Sequence, residues 1–236
     1  MNRLYGYRQE MNTTAAGENL TILPEDRALT VDITGGGVTG ISYEVRSMDR
    51  ARLVERTEVS DWQQTQQGIA ATLPIQNLLT KEREYQLIIQ LDTENYGSVY
   101  YYTRILWTDS AQHARDMVDL AADFSIKTFD YEQAKSLTTY LETSPSEDNS
   151  TFGHTSIHSS FSQLTWGKMN MQPEGNVEIR LKELDGVMCG VQLSYQAKRQ
   201  GDGAEETYEV EEDFTLKWNE LRIYMMQYDR TVNQIF

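Results

Sequence analysis

Short segments in which apolar and polar residues alternate run from Ala28 to Trp107. In residues 41–46, for example, Ile41, Tyr43 and Val45 point to one side of an extended chain and the polar side chains between them point to the other. Turn-forming residues separate the segments, at 35–37, 49–50, 66–68, 80–82 and 94–97. Six or seven short strands in this region predict a small antiparallel β domain.

A glycine pattern directly after the first predicted strand invites a cofactor hypothesis. Gly35, Gly37 and Gly40 form a G-x-G-x-x-G motif. A dinucleotide site needs the third glycine to open a helix, because the helix N-terminus holds the pyrophosphate. Gly40 instead opens the alternating strand that begins at Ile41. We therefore predict that the glycines supply positive φ angles in a hairpin or a bulge, and that the chain binds no cofactor here.

At Thr108 the period of two gives way to a helical repeat. Ser110 can cap a first helix, whose apolar stripe is formed by Met117, Leu120, Ala121 and Phe124. Asp130 begins a second helix, with Gln133 completing a capping-box-like pattern, and this helix is expected to end near Glu142. Residues 143–151 form a loop rich in Ser, Asp and Asn.

The period of two then returns. Predicted strands cover residues 163–171, 177–183, 187–199, 205–218 and 221–230. Two Asp-Gly pairs, at 185–186 and 202–203, are hairpin signals between them. The second half of the chain is therefore predicted to be two helices followed by a long, twisted antiparallel sheet.

These patterns predict an all-β domain followed by an α+β domain. An extended lead-in covers residues 1–25, the β domain covers 26–108, and the α+β domain covers 109–236. The number and spacing of strands in the first domain resemble an immunoglobulin-like or fibronectin type III β-sandwich. The order of elements in the second resembles the NTF2-like (cystatin-like) fold. A sandwich in front of such a domain resembles the extracytoplasmic part of bacterial cell-envelope proteins, and this resemblance brings no functional residues with it.

Charge and cysteine content exclude several classes of function. The net charge is −15, and residues 109–236 carry 22 acidic against 11 basic side chains. Such a chain repels phosphate backbones and anionic lipids, so we expect no nucleic-acid partner. Cys189 is the sole cysteine, which excludes an internal disulfide and a cysteine-based zinc cluster. It lies among alternating apolar residues, where we predict a buried and inert thiol.

The chain contains no run of 18 apolar residues. Its polar, tyrosine-rich start is typical of a membrane-proximal stalk, and we hypothesise an N-terminal anchor that is missing from this sequence. The expected location is extracytoplasmic and membrane-anchored in the full-length protein, with a cytoplasmic location as the alternative.

Two groups of residues are candidates for a recognition surface or a pocket. Tyr100, Tyr101 and Tyr102 are consecutive on one predicted strand, so Tyr101 faces opposite to its neighbours and at least one ring lies at the surface. His113 and Asp116 are three apart on the first predicted helix and could form a pair for proton abstraction in a pocket. The alternatives are core packing for the tyrosines and a hydrated helix face for the pair.

The remaining histidines are candidate metal ligands. His154 and His158 are four apart, a spacing at which a helix brings two rings to one ion. Their neighbours make a poor helix, however, and on a strand the two would be about 13 Å apart. Ser159 and Ser160 follow directly, without the G-x-S-x-G turn of a serine hydrolase. We therefore predict polar strand or loop residues and no metal site.

Glu209, Glu211 and Asp213 belong to the densest acidic run and share one face of their predicted strand, where we expect solvated side chains.

Taken together, the sequence favours a non-enzymatic interaction or scaffold protein of a bacterial envelope, with another envelope protein as its partner. A small-molecule binding or catalytic NTF2-like domain is the first alternative, and a surface glycan binder is the second.

Overall fold

The computed structural model describes residues 2–11, 18–77, 79–200 and 206–235. The protein is mostly β, with 51% of residues in strands, 14% in helices, and three sheets. The chain divides into two compact units. One contains Leu4–Ala111, and the other contains Gln112–Phe236 together with Met1–Arg3. Within the described ranges, no helix has the length and apolar character needed to cross a membrane.

The first unit consists of eight strands in two sheets. In chain order these are β1 Leu20–Ile22, β2 Ala28–Thr34, β3 Val38–Arg46, β4 Leu53–Glu58, β5 Trp62–Thr65, β6 Gly68–Pro74, β7 Glu84–Thr93 and β8 Gly97–Leu106. One sheet has the order β1-β8-β7-β3-β4 and the other has the order β2-β6-β5. A single hydrophobic core joins them, with Tyr43 and Leu87 from the first sheet and Ile69 and Leu73 from the second. Apolar alternation in each strand thus buries one face of each sheet against the other.

The glycine-rich segment is a connection between two strands, as the sequence predicts. Gly35 and Gly37 have φ values of 116° and 77°, which only glycine adopts readily. Gly40 lies within β3, next to a register shift between Val38 and Gly40. Since β2 pairs with β6 and β3 pairs with β4 and β7, the segment carries the chain from one sheet to the other and closes no hairpin.

Parts of the predicted lead-in, residues 1–25, pair with the first sheet. β1 runs parallel to β8, from Leu20 opposite Arg104 to Ile22 opposite Leu106. Tyr7 forms an isolated antiparallel bridge with Tyr100. The sequence signal for these pairings is weak because β1 is three residues long.

In its described residues, the second unit combines three α-helices and a 3-10 helix with a five-stranded sheet. Its elements are α1 Ala111–Lys127, α2 Tyr131–Ala134, a 3-10 helix Lys135–Tyr140, β9 His154–Ser156, α3 Phe161–Leu164, β10 Met171–Asp185, β11 Met188–Arg199, β12 Glu206–Trp218 and β13 Ile223–Ile235. The sheet order is β10-β11-β12-β13-β9, with every neighbouring pair antiparallel. The helix α1 packs on this sheet, because the ring of Phe124 meets those of Phe214 and Tyr228 at centroid distances of 5.7 and 4.9 Å.

Helix capping follows the prediction at Asp130, whose side chain accepts hydrogen bonds from the backbone amides of Glu132 and Gln133. The predicted second helix is α-helical for one turn and continues as the 3-10 helix to Tyr140. The second Asp-Gly turn, at 202–203, lies outside the described residues.

The predicted strand at 163–171 is wrong. Its first two residues, Gln163 and Leu164, end the single-turn helix α3, where the Ser160 hydroxyl accepts a hydrogen bond from the Gln163 amide. Trp166 then adopts a positive φ of 62°, which bends the chain away from a strand conformation. Local capping and the tertiary contacts of Trp166, described below, override the weak alternation of this segment.

Candidate functional site

An apolar cleft opens in the second unit where α1 approaches the edge of the sheet. It has a volume of about 60 Å³. Its walls come from α1, from the second residue after it, and from β10 and β11: Ala122, Ser125, Ile126, Phe129, Pro173, Val177, Ile179, Leu193 and Tyr195. Ile126 and Val177 stand at its rim with 53% and 40% of their surface exposed. The cleft therefore has an exposed apolar side chain on each of these two walls.

The floor of the cleft leads to a buried polar cluster. The hydroxyl of Ser125 lies 3.4 Å from that of Tyr195, and both residues are buried. Behind them is Glu212, whose Oε1 accepts a hydrogen bond of 2.7 Å from the Tyr228 hydroxyl. Glu212 is fully buried although it carries a carboxyl group. Its burial is the main reason that its pKa is raised, and the nearby charge of Arg230 and the hydroxyls of Ser125, Tyr228 and Tyr195 oppose the rise.

Arg230 is the second fully buried ionisable residue of this cluster. Its guanidinium donates hydrogen bonds to the backbone oxygens of Leu164 and Gln163 and to the Thr155 hydroxyl, at 3.0, 2.9 and 3.2 Å. It also lies 3.6 Å from the centre of the Trp166 ring, a close cation–π contact. Arg230 therefore fixes the turn after α3 onto the sheet.

The sequence pattern gives a signal for this cluster that the prediction missed. On β12, Glu212 lies between Val210 and Phe214 in the inward, apolar register, whereas Glu209 and Glu211 are exposed on the other face. Arg230 occupies the inward register of β13 in the same way, two residues after the buried Tyr228. A charged residue in the apolar register of a strand is thus the sign of a buried polar site.

The three consecutive tyrosines of β8 do not share an environment. Tyr102 is buried, accepts a hydrogen bond from the Met11 amide at 2.7 Å, and contacts the Tyr7 ring edge-on. Tyr101 packs against the hydrophobic core of its unit, and Tyr100 is half-buried. Larger exposed fractions in this unit belong to Tyr96 and to two residues near the start of the chain, Tyr5 and Tyr7. A glycan-binding surface stays a prediction.

His113 and Asp116 each have a different neighbour. The His113 ring stacks on Trp218, with centroids 3.6 Å apart and planes 16° apart. The Asp116 carboxylate accepts a hydrogen bond from the Gln112 side chain at 2.7 Å. Stacking holds the imidazole on an aromatic surface, which favours a packing role for it.

His154 and His158 are exposed and point to different partners. His154 lies on β9, with its Nε2 3.6 Å from the Asp229 carboxylate. The Nδ1 atom of His158 lies 2.9 Å from the backbone oxygen of Glu142. Across the part of the chain that the structure describes, no three His, Cys, Asp or Glu side chains are arranged to hold a metal ion.

The predicted burial of Cys189 is confirmed, since 1% of its surface is exposed. Burial, with a smaller contribution from the Glu183 charge, raises the pKa of its thiol to about 12. The thiolate that nucleophilic chemistry requires is therefore disfavoured at neutral pH.

No protein-family model matches the chain, and no curated protein matches it significantly.

Proposed function

We propose that this chain is a non-enzymatic interaction or scaffold protein that acts outside the membrane of a bacterial cell envelope. The cleft between α1 and β10 carries the proposal. Its volume of about 60 Å³ is well below the roughly 300–1,000 Å³ of typical small-molecule sites. It is also below the volume of about 150 Å³ of an engineered cavity that holds benzene. A cleft of this size suits one apolar side chain that another protein inserts.

The surroundings of the cleft support a protein partner. Protein interfaces combine an apolar centre with a polar rim, and here Ile126 and Val177 supply the centre. Asp119 and Asp123 are exposed on α1, the helix that forms one wall, and Asp123 forms an ion pair with Lys127 of the same helix. The expected partner is therefore another envelope protein that presents an apolar side chain within a polar rim.

An immunoglobulin-like fold for the first unit is part of the proposal. Two features support it: the strand orders β2-β6-β5 and β1-β8-β7-β3-β4 around one core, and a tyrosine at the start of β7. The hydroxyl of this residue, Tyr85, accepts a hydrogen bond of 3.1 Å from the Thr80 amide five residues upstream. Such a bond resembles the tyrosine corner of immunoglobulin-like domains.

An NTF2-like fold is proposed for the second unit, and the packing of α1 on the meander β10-β11-β12-β13 supports it. A two-domain chain of this kind fits the ectodomain of an anchored envelope protein. The extracytoplasmic location and the N-terminal anchor belong to the same proposal.

The test is affinity capture from envelope extracts with a chain whose cleft is made polar. Ile126→Gln with Val177→Thr removes apolar surface, keeps a good helix former in α1, and retains a β-branched residue in β10. We expect recovery of the partner to fall about tenfold, as the loss of about 1.4 kcal/mol of binding free energy requires. Leu221→Gln is the control, because Leu221 is 89% exposed in the turn before β13. Equal recovery by the cleft variant and the wild type would overturn the proposal.

A small-molecule binding or catalytic role is the second candidate. The observation in its favour is that the hydroxyls of Ser125 and Tyr195 line the cleft in front of the buried Glu212. A library of small apolar acids and alcohols, screened by the shift of the unfolding temperature, would reveal it. Stabilisation that Ser125→Ala abolishes would favour this role, and the absence of any shift would exclude those ligands.

A further inference from the structure

The strand β10 lies at the end of the five-stranded sheet and pairs with β11 on one side. On its other side, the Leu181 amide donates a hydrogen bond of 3.0 Å to the Asn2 side chain. The backbone of Leu181 therefore points away from β11. Since the N–H and C=O groups of one residue in an antiparallel strand point to the same side and alternate along it, those of Ile179 point outward too.

This outer edge combines exposed apolar surface with charges of both signs. Val177 is 40% exposed and Ile179 is half-buried, and both line the apolar cleft. Glu178 and Arg180 alternate with them on the opposite face of the strand. The pairing of β10 with β11 is regular from Glu178 to Leu181 and shifts on either side of this segment. A regular edge segment with apolar side chains on one face is a template for another strand.

The sequence of the edge is complementary to itself. In an antiparallel pair of two copies centred on Ile179, Glu178 lies opposite Arg180 of the second copy and Val177 lies opposite Leu181. The two Ile179 residues face each other. If the antiparallel pair were centred on Arg180 instead, the Arg180 side chains of the two copies would lie opposite each other, and two like charges in this position repel. We propose that a second copy of this chain pairs antiparallel along β10, centred on Ile179.

Contacts already present at the edge show how the second copy would be held. Arg3 lies 3.0 Å from Glu178, and Asn2 accepts from the Leu181 amide. In the dimer, Arg180 of the second copy replaces Arg3 as the partner of Glu178, and the backbone oxygen of its Val177 replaces the Asn2 side chain. The added strand lays its apolar face beside the cleft and extends the sheet across two copies. This inference goes beyond the proposed function, because it adds another copy of the chain as a second partner, bound at the β10 edge beside the cleft.

The experiment is sedimentation equilibrium of the full chain over a wide range of concentrations. The wild type should shift from 27.2 kDa towards twice that mass. Glu178→Arg alone places Arg opposite Arg, and Arg180→Glu alone places Glu opposite Glu. Each variant should weaken self-association about tenfold or more, since two cross-strand pairs change from attractive to repulsive.

An equimolar mixture of the two variants supplies the decisive measurement. Every charge pair across the mixed interface is then Arg opposite Glu, so the mixture should recover dimerisation that neither variant has alone. This recovery also excludes misfolding as the cause of the loss. Lys217→Glu is the control, since Lys217 is an exposed cation on β12 outside the edge, and it should dimerise like the wild type.

Two results would overturn the inference: a wild-type chain that stays monomeric at every concentration, or a dimer that both single variants retain. If the chain is monomeric while cleft-dependent capture of an envelope protein persists, self-association fails and the proposed function stands. If capture also fails to depend on the cleft, both proposals fail.

Discussion

Two buried glutamates illustrate how the protein accommodates a carboxyl group away from water. Glu55, in the first unit, accepts hydrogen bonds from the hydroxyls of Tyr43 and Thr57 and from the Asn77 amide, at 2.6, 3.0 and 3.1 Å. Glu212, in the second unit, accepts from the Tyr228 hydroxyl and lies near the Arg230 charge. At Glu212, burial has the largest effect on the pKa. It favours the neutral carboxyl group, because an ionised carboxylate would lose its hydration there.

The raised pKa of Glu212 has a consequence for the pH dependence of stability. The folded state holds this proton more tightly than the unfolded state, in which the pKa is close to the ordinary 4.5. The stabilising effect is complete below that value and is lost as the pH rises through the folded pKa. Glu212→Gln should remove the effect, so the free energy of unfolding of the wild type relative to the variant should decrease as the pH rises. Each unit by which the pKa is raised corresponds to about 1.4 kcal/mol.

Urea unfolding at a series of pH values from 4.5 upward measures this difference. Glu209→Gln is the matched control, because Glu209 is exposed on the same strand and its substitution should change the pH dependence little. The opposite result is that the free energy of unfolding of the wild type increases relative to that of Glu212→Gln as the pH rises. It would show that the charge of Arg230 affects the pKa of Glu212 more than burial does.

Among the elements of the second unit, α3 and the turn after it depend most on tertiary contacts. The helix is four residues long, and such a helix has no stability of its own. Arg230 of β13 accounts for its position, since the guanidinium binds two backbone oxygens of this segment and stacks on Trp166. Trp166 in turn donates a hydrogen bond to the Thr128 hydroxyl, just after α1.

We predict that Arg230→Ala lowers the free energy of unfolding by about 3–5 kcal/mol, because it leaves Glu212 without its nearby cation and removes the guanidinium hydrogen bonds to the Leu164 and Gln163 carbonyls. Arg115→Ala, an exposed position of α1, should change it by less than about 0.5 kcal/mol. Urea unfolding, followed by the fluorescence of the four tryptophans, measures both. A loss below about 1 kcal/mol at Arg230 would contradict the organising role of this side chain.

These contacts also explain which elements could be predicted from the sequence. The strands from β2 to β8 follow local alternation and turn residues, and α1 follows a local stripe in which Met117, Ala121 and Phe124 are buried. The conformation of residues 161–170 depends on Arg230, more than 60 positions away, so no local pattern contains it. The parallel pairing of β1 and the passage of the glycine segment between sheets are likewise decided by distant strands.

The candidate site was less predictable than the elements. The cleft depends on Ile126 and Val177, which belong to α1 and β10 and lie far apart in the sequence. Ile126 lies outside the apolar stripe of α1, but a single exposed apolar residue on a helix is common and does not by itself indicate a site. The seven candidate residues that the sequence suggests stand out by type, as histidines, clustered tyrosines or an aspartate near a histidine. That criterion does not report which apolar side chains remain exposed.

In the whole molecule, two β-rich units differ in their charge. Residues 1–108 carry 14 acidic and 10 basic side chains, and residues 109–236 carry 22 and 11. The more acidic part also contains the apolar cleft and the self-complementary edge of β10. An apolar centre within an acidic surface selects against anionic partners and favours a basic protein surface or a pairing in which opposite charges are matched.

The central claim is that the cleft between α1 and β10 is a protein-binding surface, and site-specific photo-cross-linking tests it most directly. A photoreactive amino acid replaces Ile126 at the rim of the cleft or, as the control, the exposed Leu221, and the chain is irradiated in its native host. We predict a discrete product heavier than 27.2 kDa from position 126 and none from position 221. No product at position 126, or the same product from both positions, would contradict the claim.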